Sequence, residues 1–339
     1  MQDVQFRRIA DRKPLQSSTL KSDSMALKEE VLQYLSDNSS EYISGEELAH
    51  SLGKSRTAVW KAIKSLQADG YRIDAVTNRG YMLDTDNDIL NAQEIKKSLS
   101  FDCRVEYYKT LDSTNNVAKR IIAEGEDDVL LVVGEEQTAG RGRQGKSFYS
   151  PQGTGIYMSL VLHPMIELQN AVTATTAAAV AVCRAIESLT DKKPMIKWVN
   201  DVYLDGKKIC GILTEAVTDF ETQTVSSIII GIGINLTTKD FPCDVQNASC
   251  LNADVKRAEL IGGVANELNR IVCSGYGEFM EYYRAHSLVV GEDIVFIKNG
   301  VSTSARAVGI DDFGGLEVEL ADGTHTTLRS GEITVRKIN

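Results

Sequence analysis

An α+β fold in three parts is predicted for this chain of 339 residues. Three observations predict it. Helical hydrophobic spacing, interrupted by a glycine turn and followed by alternation, fills 25–84. Strands and helices then mix through 91–286 without the regular βαβ order of a doubly wound sheet. From 287 to 339 the chain breaks into short alternating runs separated by glycine turns.

Residues 1–24 are polar and weakly patterned, and a disordered tail is expected there. Met25 is expected to open the first helix and to be the true start, with the tail an extension. Leu27, Val31, Leu32 and Leu35 recur at helical period. Ser44-Gly45-Glu46-Glu47 reads as a capping box opening a short helix with Leu48, Ala49 and Leu52. Gly53 breaks that helix, Ser55 starts a longer one, and Gly70 ends it. Helix, glycine turn and helix make a helix-turn-helix. YRIDAVTNRGYML (71–83), turning at Asn78-Arg79-Gly80, adds a β-hairpin, so 25–84 reads as a winged helix.

The second helix of that unit has Lys54, Arg56, Lys61 and Lys64 and no acid between 53 and 68. Ser55, Arg56 and Thr57 would reach base edges, Lys61 and Lys64 phosphates, and Arg79 lies on the wing. A unit used only for protein contacts is the competing reading; the segregated charge favours DNA. One such module binds weakly, so operator binding calls for a dimer.

Residues 84–90 form a polar linker, and Asn91 begins a further helix. Strands are expected at 105–110, 129–136, 155–163, 195–199, 208–217 and 226–236, and helices at 114–124, 168–189, 256–272 and 275–286. Turns at Lys298-Asn299-Gly300, Phe313-Gly314-Gly315 and Asp322-Gly323 predict a small C-terminal β-barrel.

Composition narrows the function. A net charge of −10 opposes indiscriminate nucleic-acid binding by the whole molecule. The six cysteines form no C-x-x-C pair and read as reduced structural thiols, and the four histidines lie far apart, so no structural metal is expected. The apolar run 171–186 is Ala/Thr-rich and reads as a core helix. The N-terminus has no signal-peptide pattern, so a cytoplasmic protein without a membrane partner is expected.

The densest chemical signal is GRGRQGKSFYSPQGTGIYMSL, 140–160. Gly140, Gly142 and Gly145 alternate with Arg141, Arg143 and Lys146. Such a loop can fold closely around an anion and present N–H groups and planar charged forks; a flexible surface loop is the plain alternative. The spacing does not match a Walker A loop. Elsewhere, Ser113-Thr114-Asn115 sits where a strand gives way to a helix, and a helix cap would account for it without any function. Gln137 ends a strand just before the loop, KWVND (197–201) places Lys197 and Asn200 around a short strand, and GIGIN (231–235) puts glycines inside another. Glycine within a strand marks close approach of a ligand or of another backbone.

Taken in order, STN, EQTAGRGRQGKSF, SPQGTGIYMSL, KWVNDVYLDGKKICGILTE and GIGINL resemble the biotin–protein ligases, in particular the bifunctional bacterial type that also represses biotin synthesis. The resemblance covers about 25–338. It implies a class II synthetase-like catalytic domain followed by an SH3-like barrel. It implies activation of biotin by Mg-ATP to biotinyl-5′-AMP and pyrophosphate, then transfer to a lysine of a biotin carboxyl-carrier domain. By the same resemblance, Arg143 and Lys197 serve catalysis. Ser113, Thr114, Asn115, Gln137, Arg141, Gly142, Arg143, Lys197, Gly211 and Gly233 hold biotin, with Ile212 beside them. Arg143, Lys146, Asn200, Asn235 and Arg336 hold the nucleotide. Biotin is both substrate and effector: the adenylate orders the loops at 138–148 and 217–227 and promotes a homodimer on operator DNA. Val199, Lys146 and Phe148 depart from the proline, arginine and tryptophan frequent at those positions, which bears on affinity. A ligase without DNA regulation, a sensor that does not transfer, and a lipoate ligase are the alternatives.

Overall fold

The computed structural model describes residues 19–38, 41–84, 88–125, 129–162, 171–218, 225–243, 245, 247–274, 277–298, 300–329 and 332–335. Contacts divide the chain into two units, Met1–Ile89 and Leu90–Asn339.

In the first unit, α1 (Thr19–Asp37) begins ahead of Met25, inside the segment expected to be a tail. Helices α2 (Gly45–Ser51) and α3 (Arg56–Ala68) follow, with Gly53 between them at φ +62°. Ser44 and Ser55 cap these helices by accepting from the N–H groups of Glu47 and Ala58. A hairpin of β1 (Ile73–Val76) and β2 (Gly80–Leu83) completes the unit. Val31, Leu35, Leu48, Val59, Ile63 and Leu66 share one core. The hairpin is tied back by mutual backbone bonds between Ile43 and Tyr81.

The second unit is built on a mixed sheet in the order β3-β4-β5-β9-β8-β7-β6. After α4 (Ala92–Lys97), β3 (Arg104–Tyr108) runs parallel to β4 (Leu130–Gly134), with α5 (Thr114–Ala123) crossing between them. The other pairings, among β5 (Gly155–Leu162), β6 (Met195–Lys197), β7 (Asp201–Leu204), β8 (Lys207–Thr218) and β9 (Val225–Asn235), are antiparallel. β7 is a strand the sequence reading did not separate; its hairpin turns on Asp205 and Gly206, both at positive φ.

One face of this sheet is a continuous aliphatic layer. Ile156, Met158, Leu160, Ile212, Ile230, Ile232 and Ile234 pack in one core with residues of α6 (Ala171–Leu189), α7 (Arg257–Ser274) and α8 (Gly277–Ala285). The segment Val172–Leu189 of α6 is long and apolar enough to cross a bilayer, but 72 % of it is buried within the fold. On the opposite face α5 packs Val117, Ala118 and Ile121 against Leu130, Val132, Val161 and Ile229.

The C-terminal strands β10 (Asp293–Lys298), β11 (Val301–Ile310), β12 (Leu316–Leu320), β13 (His325–Leu328) and β14 (Glu332–Val335) form an antiparallel sheet in the order β13-β12-β11-β10-β14. Its Ile294, Phe296, Ala307, Leu316 and Val318 belong to the same core as α6 and α7. Trp198 Nε1 donates to Gly314 O at 2.9 Å, fastening the end of β6 to this sheet.

Candidate functional site

The face of the sheet that carries α5 is hollowed by missing side chains. Register pairs Gly211 with Gly233, and Leu213 with Gly231; on the other side of β9, Tyr157 faces Gly233 and Ser159 faces Gly231. Strand residues two apart point to one face, so Gly211, Gly231 and Gly233 leave a trough. Other groups use that space. A Cβ on Gly231 would overlap Asn115 Oδ1, and one on Gly233 would overlap the Phe148 ring.

Over the trough lies a cavity of about 510 Å³, within the roughly 300–1,000 Å³ of small-molecule sites. At one end are Ser113, Thr114 and Asn115, buried at the start of α5. Ser113 occupies the N-cap position, yet its side chain makes no capping bond. Gln137 Oε1 takes the Thr114 N–H instead, at 3.0 Å, while Gln137 Nε2 donates to Ser150 Oγ at 2.8 Å. The cap reading of this tripeptide is thereby corrected: Gln137 does the capping and the Ser113 hydroxyl lines the cavity.

The Gly/Arg loop forms the roof. Gly140 and Gly142 hold its backbone bonds to Phe148 N and Lys146 O, and Gln144 and Gly145 turn it at φ 55° and 75°. A Cβ on Gly140 would overlap Phe148 O, so glycine is required there. Arg141 reaches Glu215, with an NH2–Oε1 distance of 3.2 Å. Arg143 donates to Asn200 Oδ1 at 3.0 Å, and Asn200 Nδ2 donates to Ile212 O. The loop is therefore pinned to β8 directly and through the KWVND turn.

The far wall is the β6–β7 hairpin, where Lys197 faces Asp201. Lys197 Nζ lies 5.5 Å from the centre of the Tyr203 ring. Lys208 Nζ lies 2.7 Å from Asp201 Oδ1. Arg141, Arg143, Lys146, Lys197 and Lys208 all line the cavity, against Asp201 as the one acid among its described lining residues. In a chain of net charge −10 this is a local concentration of positive potential suited to an anion.

Glu215 stands at the opposite end, beside Asn115 and Lys119 of α5. Burial raises its carboxyl, but hydrogen bonds from Lys119 and Asn115 and the charges of Lys119 and Arg141 outweigh that and hold it below the usual carboxylate range. Asp112, beside Ser113, is held well below its usual range by its hydrogen bonds to Arg120.

Of the residues expected from sequence, Ser113, Thr114, Asn115, Gln137, Arg141, Gly142, Arg143, Lys146, Lys197, Asn200, Gly211 and Gly233 meet at this cavity. Asn235 is not among its lining residues; it is buried and donates to Ser249 O at 3.0 Å. Arg336, and 219–224 of the expected 217–227 loop, lie outside the described residues. Ser150, Ser159, Lys208 and Glu215 were not singled out from sequence, and only Lys208 had a local signal, its place two residues after a glycine turn.

A second cavity, about 670 Å³, runs between α3 and the hairpin, lined by Arg56, Thr57, Trp60 and Arg79 among others. Lys61 and Lys64 are exposed on the same helix. Ser55 spends its hydroxyl on the cap of α3. Trp60, 50 % exposed, is a further member that sequence reasoning passed over; an apolar ring amid four cations was its signal.

A biotin/lipoate A/B protein ligase family model matches 107–235, a helix-turn-helix domain model 28–82, and a biotin protein ligase C-terminal domain model 290–336. The chain is 34 % identical over 311 residues to the bifunctional ligase/repressor BirA of Bacillus subtilis, covering 88 % of this chain and 95 % of that one. The chain belongs to the bifunctional ligase/repressor family. Its likeness to the Escherichia coli ligase/repressor BirA is 29 % over 313 residues, covering 87 % and 94 % of the two chains. Among solved structures, the biotin protein ligase from Aquifex aeolicus in complex with biotin and ATP is similar with a TM-score of 0.58 at 26 % identity, over 69 % of this chain and 99 % of that one. The ligase family model spans most of the residues lining the first cavity, and the helix-turn-helix model spans those lining the second.

Proposed function

We infer that this ligase/repressor activates biotin with ATP and transfers it to a lysine of a biotin carboxyl-carrier domain. The observation that carries the reading is the meeting of five basic side chains over a glycine trough whose other end is lined by hydroxyl and amide groups. Both reactants of the first step are anions, so positive charge must bring them together and stabilise the crowded phosphoryl centre. A biotin carboxylate oxygen attacks the α-phosphorus of ATP, the bond to the β-phosphate oxygen breaks, and pyrophosphate leaves. A carrier-lysine amine then attacks the acyl carbon and AMP departs. Arg143 and Lys197 are our catalytic assignments, with Lys208 a third cation beside them. Ser113, Thr114 and Gln137 would meet the ureido ring, which such a site recognises through bonds that analogues cannot make. Among the described residues no three metal-ligating side chains cluster, so Mg²⁺ would arrive on the nucleotide phosphates.

The α3 groove supports operator DNA as the second partner, with Arg56, Thr57 and Arg79 lining it and Lys61 and Lys64 exposed on the same helix. We propose a winged helix over 25–84, a class II synthetase-like domain over 91–286 and an SH3-like barrel over 287–339, in a cytoplasmic protein that dimerises when adenylate-bound.

The deciding experiment is the intact mass of a recombinant carrier domain after incubation with this protein, biotin and Mg-ATP. A biotin-sized gain is expected, reduced in rate by about 10²–10³ with Lys197→Ala or Arg143→Ala, the range typical of lost charge stabilisation. No gain, and no bound biotinyl-AMP, would overturn the reading.

A further inference from the structure

Glu215, on β8, gathers more partners than any role in the two chemical steps assigns it. Its carboxylate is 18 % exposed. Oε1 takes Lys119 Nζ at 2.8 Å and Arg141 NH2 at 3.2 Å; Oε2 takes Asn115 Nδ2 at 2.9 Å and Arg141 NH1 at 3.3 Å. Three elements thus converge on one group: α5, the Gly/Arg loop and β8.

The directions of the neighbouring hydrogen bonds follow from that carboxylate. An ionised carboxylate only accepts, so Asn115 must present its NH2 group to it, as it does to Leu213 O at 3.3 Å. Asn115 Oδ1 is then an acceptor facing Ser159 Oγ at 2.6 Å, and Ser159 gives it the single hydroxyl proton. Ser159 Oγ also lies 2.7 Å from Thr114 Oγ1. With its own proton committed to Asn115, Ser159 accepts there and Thr114 donates. Thr114 Oγ1 also lies 3.3 Å from Gln137 Oε1, but the shorter contact with Ser159 takes its single proton, so toward an N–H of a ligand in the cavity that Thr114 lines this oxygen can only accept.

We propose that Glu215 is a positioning residue that sets the donor and acceptor directions at the polar end of the cavity and anchors the Gly/Arg loop over it. It acts through Asn115, Ser159 and Thr114 on one side and through Arg141 on the other, without touching the reacting atoms. Asn115 is accordingly a link in this chain of bonds, its donors and acceptor already engaged. A glutamine at 215 keeps the shape but can present either end of its amide, so the direction of every bond back to Thr114 loses its cause. The inference rests on the biotin-binding reading of the cavity.

The test is biotin-dependent pyrophosphate release by the full chain, with biotin KM and kcat measured separately, and melting curves as a control on folding. Glu215→Gln is expected to raise biotin KM by about tenfold or more, the scale of a lost bond to a charged group, with kcat changed by less than about threefold. Glu215→Asp, which keeps the charge, recovers part of the affinity. Ser159→Ala raises biotin KM in the same way, and the double variant is no worse than the poorer single one, because both act through one chain. An unchanged biotin KM in Glu215→Gln, or losses that add, overturns the proposal; should that variant not fold, Glu215→Asp and Ser159→Ala carry the same decision. A wild type that neither releases pyrophosphate nor binds biotin overturns the functional reading itself, and this inference with it.

Discussion

Gly231 shows how a single missing side chain shapes the site. Asn115 Oδ1 sits where a side chain at 231 would begin, and a methyl group there would overlap that oxygen. Gly231→Ala is expected to displace Asn115 and weaken biotin binding by tenfold or more, since overpacking typically costs about 1–3 kcal/mol. Titration calorimetry with biotin checks this; unchanged affinity would mean that Asn115 has room to move. At this scale the sequence was readable where chemistry and spacing coincide. Arg141, Arg143 and Gln137 announce themselves beside three glycines. Ser159 and Glu215 do not, because each sits in a strand as an ordinary polar residue, and its partners come from α5 and the loop, distant along the chain. The true cap of α5 was hidden for the same reason: Gln137 reaches Thr114 N only once β4 lies beside β3.

Helix α3 carries the prediction that belongs to an element. It buries Val59, Ala62, Ile63 and Leu66 and exposes Arg56, Thr57, Trp60, Lys61 and Lys64. Arg56→Ala removes no core contact, so the unit should stay folded while operator binding weakens by about 1–3 kcal/mol and loses sequence preference, whereas Lys61→Ala should weaken binding to all sequences and lower its salt dependence. Gel-shift titration across salt concentrations, alongside the ligation assay, reads both effects. A fall in ligation would show that the two activities are not separable in this way. Most elements were legible because burial is one-sided and writes a period into the sequence. The exceptions are instructive. β7 has four residues and adjoins KWVND, so its alternation merged with its neighbours; the Asp205-Gly206 turn was the available sign. α1 starts among polar residues that give no helical period, so its first turn could not be placed from pattern alone.

The whole chain divides along its hydrophobic cores. Leu35, Leu48, Ile63 and their neighbours form one, while the sheet, α6, α7 and the C-terminal strands share another. Separate cores unfold as separate cooperative units, so urea should give two transitions. Saturating biotin should raise the midpoint of only one of them, by the stabilisation that binding to the native state confers: about 2.7 kcal/mol at a hundred times Kd. Circular dichroism with and without biotin separates the cases, and a single transition shifted as a whole would mean that the units unfold together. The shared core of the C-terminal strands and the central sheet was not apparent from sequence, where glycine turns made the two regions look independent.

Each core also holds, or borders, one indole. Trp60 and Trp198 are the only tryptophans in the chain. The first is half exposed beside the cations of α3, and the second, 4 % exposed, is bonded to Gly314 O in the wall of the cavity. An indole in water emits further to the red than one enclosed by apolar neighbours. The protein's own emission spectrum therefore has two colours with separate addresses, and occupancy of either face can be followed in unlabelled protein by the part of the band that moves.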